Sequence, residues 1–213
     1  FLFTVGTWEQ TAGTLTLVTG NQAISASGAL IISGTANFSM PGASPTVNGT
    51  LTVNTSGTFV QGGGNNSTTV TTGGTLNLQA GTVTFNGRLI MNVGSTTTIT
   101  GANITINQQA TTNASVGNNA FDALGGSLTF TSGTVTFGSP NAAASDVLRT
   151  GRDLKLNTAL TGTLVGSTFI MGDGNTTPVS GSTGYTISVT SPVVLDNLVI
   201  QGGNVTGRNV LLA

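Results

Sequence analysis

Cysteine and histidine are missing from this 213-residue chain, and charge nearly so: 5 Lys and Arg stand against 6 Asp and Glu. Without Cys there is no disulfide framework and no thiolate metal site. Without His there is no imidazole ligand and no Ser-His-Asp triad. A charged fraction of 5%, where about 25% is usual, is foreign to an ordinary cytosolic enzyme domain. The net charge of -1 offers no basic surface to neutralise phosphates, which excludes a nucleic-acid partner. Long apolar runs are also lacking. Leu30-Ile31-Ile32 and Val193-Val194-Leu195 are among the longest, far short of the ~20 residues that cross a bilayer. No charged segment followed by an apolar one marks a signal peptide. The chain opens on Phe1-Leu2-Phe3, which reads as a processed terminus or a fragment boundary.

What is abundant is small and polar. Thr, Gly, Asn and Ser fill 111 positions. Chains of that kind often stay unfolded because they cannot bury enough apolar surface to offset chain entropy. Here 37% of residues are hydrophobic and the mean hydropathy is +0.26. The Val, Leu, Ile and Phe also alternate with polar residues, so the chain folds.

A short unit recurs, a Gly followed by a small or polar residue and then apolar-x-apolar. It reads Gly13-Thr-Leu-Thr-Leu17, Gly49-Thr-Leu-Thr-Val53, Gly74-Thr-Leu-Asn-Leu78, Gly81-Thr-Val-Thr-Phe85, Gly126-Ser-Leu-Thr-Phe130 and Gly133-Thr-Val-Thr-Phe137. Alternation over four to six residues is the pattern of a half-buried strand, and the Gly before it turns the chain. Leu76, Val83 and Leu89 are too close together for hairpins. They suit a coil whose short strands turn corners and pair with counterparts one coil later. The reading is an all-β parallel β-solenoid with roughly 20 to 25 residues per coil, roughly nine coils and a length of about 45 Å. A β-sandwich is the second arrangement that such strands fit. Stacking also accounts for the scarcity of charge, because like charges one strand apart repel.

These Gly-Thr-Leu-Thr-Leu and Gly-Thr-Val-Thr-Phe units resemble those of secreted bacterial β-solenoid surface proteins: filamentous-haemagglutinin-type adhesins, autotransporter passengers and large Thr/Gly/Asn-rich surface repeat proteins. The resemblance is closest over residues 10–137. It implies export, an extracellular or cell-surface location, and a structural or adhesive role. The calcium-binding nonapeptide pattern of some solenoids is absent, and no cofactor or metal is expected.

Organisation changes along the chain. Residues 1–137 read as regular coils with an apolar N-terminal strand. Residues 138–213 read as irregular coils with longer loops and a charged cluster. Ser139 and Pro140 would begin a short helix over 141–149. Asp146, Arg149, Arg152, Asp153 and Lys155 gather nearly half of all charge into ten positions, either as a subunit-docking patch or as a solvated loop. At the ends, Phe1, Leu2, Phe3, Val5 and Trp8 form an apolar strand, and Val210, Leu211 and Leu212 lie in a unit without a polar cap. An uncapped coil is an open sheet edge. The expected partner is a second copy stacked head to tail, or adjoining repeats of a longer chain.

Three further features bear on chemistry. The acids Glu9, Asp122, Asp146, Asp153, Asp173 and Asp196 are scattered, whereas a glycosidase needs two within roughly 5 to 10 Å; no enzyme activity is expected, a pectin-lyase-like one included. Gly172-Asp-Gly-Asn175 reads as a tight turn. Thr-x-Thr recurs at Thr14/Thr16, Thr50/Thr52, Thr82/Thr84, Thr96/Thr98, Thr98/Thr100, Thr134/Thr136 and Thr161/Thr163. Residues two apart share a strand face, so such pairs would build a hydroxyl lattice for ice or a glycan, although uneven spacing counts against its regularity. Sequons at Asn37, Asn48, Asn54, Asn65, Asn66, Asn103, Asn113, Asn175 and Asn204 mark glycan acceptors in an exported protein.

Overall fold

The computed structural model describes residues 2–17, 20, 22–41, 44–62, 66–107, 119–138, 154–172, 185–201 and 210–212. Every regular element among them is a strand. In chain order these are β1 (Leu2–Gln10), β2 (Thr14–Thr16), β3 (Ala23–Gly34), β4 (Asn37–Met40), β5 (Thr46–Val47), β6 (Thr50–Gln61), β7 (Ser67–Val70), β8 (Thr75–Phe85) and β9 (Arg88–Met91). Then follow β10 (Thr96–Ile106), β11 (Phe121–Ala123), β12 (Gly126–Phe137), β13 (Leu154–Leu156), β14 (Leu160–Thr163), β15 (Thr168–Met171), β16 (Tyr185–Val189), β17 (Asn197–Ile200) and β18 (Val210–Leu212).

Strands pair in parallel with strands one coil away, as β6 does with β8 and β8 with β10. A sandwich of antiparallel hairpins is thereby excluded, and the fold is the parallel β-solenoid. Each coil contributes to three faces. Face A stacks residues 7–10 of β1, 29–34 of β3, the first halves of β6, β8, β10 and β12, and β14. Face B stacks β2, β4, the second halves of β6 to β12 as they recur, β15 and β17. Face C stacks residues 2–3 of β1, 23–24 of β3, then β5, β7, β9, β11, β13, β16 and β18. Among the described residues face C has nine layers, the number the repeat predicts, face B eight and face A seven. The closely spaced Leu76, Val83 and Leu89 are the inward positions of faces A, B and C in turn.

The expected coil length holds only in part. Residues one coil apart are separated by 21 to 25 positions as far as β10. Beyond it the separation between paired strands is 29 to 34, returning to 25 between β16 and β18. Links from face C to A and from A to B stay short throughout. The link from face B to C takes up the difference, from residues 86–87 between β8 and β9 to 138–153 between β12 and β13. The large length changes therefore fall at one corner, and the ladders on the faces keep their register, with shifts of one or two residues confined to the other corners.

Alternation fixes the core. Leu51, Leu76 and Leu128 lie in one inward column of face A, and Phe38, Phe59, Val83, Ile104, Val135 and Phe169 in one of face B, all buried. Phe38 and Phe59 stack with centroids 6.0 Å apart, and Phe130 meets Phe169 edge to face at 5.4 Å. At the A–B corner a side chain often cannot fit. Gly133 has φ +104 and a Cβ there would collide with the Ala102 carbonyl oxygen of the coil above, so only glycine suits both the dihedral and the space. The helix expected over 141–149 lies outside the described residues.

Candidate functional site

The first coil exposes apolar side chains. In β1, Val5 is 82% exposed, Leu2 59% and Trp8 36%, while Phe3 is half-buried with its ring 6.0 Å from that of Trp8. Trp8 also lies 6.1 Å from Phe38, over the end of the core. β1 pairs with β3 on one edge and with no other described strand. Of the expected contact residues, Leu2, Phe3, Val5 and Trp8 thus come together at one end. Val210, Leu211 and Leu212 form β18, paired to residues 185–187 at the other. Phe1, Asp146, Arg149, Arg152 and Asp153 lie outside the described residues. Lys155 is in β13, directly opposite Asp122 of β11.

Asp122 reveals a polar feature that sequence reasoning missed. On face C, an Arg88 terminal nitrogen donates to Asp122 Oδ2 at 3.1 Å, and Arg88 Nε donates to the Asn119 carbonyl oxygen at 2.9 Å. The Asp122 side chain is only 8% exposed, and its Oδ1 is buried without a partner. The two residues are 34 positions apart, so nothing short of the coil register would have joined them. Glu9, Asp122 and Asp196 are the described acids. Glu9 accepts from Ser33 Oγ at 2.6 Å and Asp196 from the Gly166 amide at 2.7 Å. Among the described residues no metal-holding cluster of acids forms.

The Thr-x-Thr pairs separate onto two faces. Thr50/Thr52, Thr96/Thr98 and Thr161/Thr163 point outward from face A. Thr14/Thr16, Thr82/Thr84 and Thr134/Thr136 point outward from face B, with Asn37 and Asn103 in the same ladder. Uneven coil length does not disturb these ladders, because the inserted residues leave at the B–C corner. Several sequon asparagines take part in ladders. Asn37 Oδ1 accepts from Thr58 Oγ1 at 2.9 Å, Asn48 Oδ1 from Thr71 Oγ1 at 2.7 Å and Asn103 Oδ1 from Thr134 Oγ1 at 3.1 Å. Asn66 Oδ1 accepts from Ser44 Oγ at 3.2 Å, and Asn54 is exposed. Asn65, Asn113, Asn175 and Asn204 lie outside the described residues.

No protein-family model, curated protein or solved structure matches the chain. The functional reading therefore rests on the geometry above. No helix among the described residues is long and apolar enough to cross a membrane.

Proposed function

We propose that the chain is a structural segment of an extracellular surface filament, fibre or adhesin stalk, working by stiffness and lateral or end contacts and not by catalysis. The observation that carries this reading is the parallel ladder, nine layers deep on face C, with a largely apolar interior and a nearly uncharged exterior. Backbone hydrogen bonds running along the axis resist extension, and a neutral hydroxyl surface makes the rod insensitive to salt. Its partner is another solenoid coil, from a second copy or an adjoining repeat. An edge such as that of β1, with Leu2, Val5 and Trp8 beside it, suits the addition of a parallel strand. Head-to-tail contacts of that type do not close on themselves and so build fibres.

Negative-stain imaging and light scattering of the purified chain test this reading. End-to-end rods that shorten when Trp8→Arg is introduced at the β1 end are expected. A strictly monomeric population at all concentrations, or turnover of a polysaccharide, would overturn it.

A further inference from the structure

We infer that face A is an ice-binding surface. From β6 to β14 its outward positions form two ranks across five successive coils. One rank is Thr50, Thr75, Thr96, Ser127 and Thr161; the other is Thr52, Asn77, Thr98, Thr129 and Thr163. The strands are parallel and in register, so the ranks repeat at about 4.8 Å along the axis and about 6.7 Å across it. Both repeats are close to those of water layers on the prism faces of hexagonal ice. A plane of hydroxyls and methyls at such spacings holds a water layer in nearly crystalline order, which then merges with the lattice.

Three further observations single out this plane. First, Thr50, Thr75, Thr96, Thr98, Ser127 and Thr129 spend no side-chain hydrogen bond on another described residue, so their hydroxyls remain available to a ligand. Asn77, the longest side chain in the two ranks, lies along them and donates from Nδ2 to Thr52 Oγ1 at 3.3 Å. Second, the ten positions carry neither charge nor an aromatic ring. A neutral plane matches a neutral crystal, offers no ion pair to a protein, and lacks the rings on which sugars stack. Third, in a three-faced coil the B–C corner, where the strands flanking the longest links end and begin, lies opposite face A. Over the same five coils face B serves less well, since its outward ranks there include Val60 and Ile170 among the hydroxyls.

The inference does not depend on fibre assembly, and its test reads a different property. The chain and its Thr75→Lys, Thr98→Lys and Thr136→Lys variants are compared for uptake into slowly growing ice and for arrest of ice recrystallisation, with circular dichroism to confirm the fold. Uptake and arrest by the parent and by Thr136→Lys, on face B, with loss of both in the two face A variants, are expected. Should a Lys variant unfold, Thr98→Tyr supplies the same obstruction with a strand-favouring residue. Exclusion of the folded parent from ice overturns the inference, as does equal loss from variants on both faces. Capture on microcrystalline cellulose or chitin, abolished by Thr98→Lys in a protein that ice excludes, assigns the face to a polysaccharide and overturns it too.

Discussion

Thr97 points into the core between Leu76 and Leu128, and its hydroxyl is buried without a partner. A buried hydroxyl that has lost water and gained nothing costs about 1–3 kcal/mol. Thr97→Val keeps the shape and removes the oxygen. It should raise stability by about 1 kcal/mol, measured as a higher urea midpoint at unchanged slope. Arg88 presents the reverse case. Arg88→Met leaves the Asp122 carboxylate buried and unpaired, at a cost of about 3 kcal/mol. The double variant Arg88→Met/Asp122→Leu should recover most of that loss, because an apolar pair of similar volume needs no charge partner. A double variant no more stable than the single one would contradict this account. The sequence hid both residues. Thr96, Thr97 and Thr98 are identical as letters, and only the register of Ile99 with Leu78 says which of them turns inward. Arg88 and Asp122, 34 positions apart, meet because the coil from β9 to β11 closes after 32, a distance no local pattern encodes.

At the scale of the element, each strand carries the alternation that the Gly-Thr-apolar units announce, and this is why the fold was legible. Period-two patterning specifies a face, and repetition specifies that the same face returns. Which face carries which hydroxyl pair was not legible, because coil lengths alone suggested that the ladders drift. Charge is scarce for a reason that can be measured. Thr84 and Thr105 are direct neighbours on face B. Thr84→Lys/Thr105→Lys should be destabilised beyond the sum of its single variants by about 0.2–1 kcal/mol, and Thr84→Lys/Thr105→Glu stabilised by a similar amount. Both couplings should shrink between low salt and 1 M salt, as screening shortens. Thermal melts of the parent, the three single variants and the two double variants at the two salt concentrations supply the comparison.

At the scale of the whole molecule, stability is a sum over coils and their contacts, as in any one-dimensional stack. β8 and β10 each have a coil on both sides, whereas β1 is bonded to a described strand on one edge only. Amide exchange should accordingly be slowest in β8 and β10 and fastest in β1, with a graded profile between them. A uniform profile would mean that the stack opens as one unit. The core itself is one cluster running from Leu17 to Val193. Phe59→Ala, in the middle of the aromatic column, should therefore cost about 3–5 kcal/mol, read from the shift of the unfolding midpoint.

The one corner at which coil length varies widely gives the rod a front and a back. Sequence can be added, shuffled or decorated along the back without moving a single stacked hydroxyl on the front. A lineage of such proteins would therefore be free to change what it shows to its surroundings while keeping unaltered the plane by which it lies down. For the same reason, a foreign peptide placed in the link between β8 and β9, where residues 86–87 make the shortest such crossing, would stand on the side facing away from whatever surface the rod occupies.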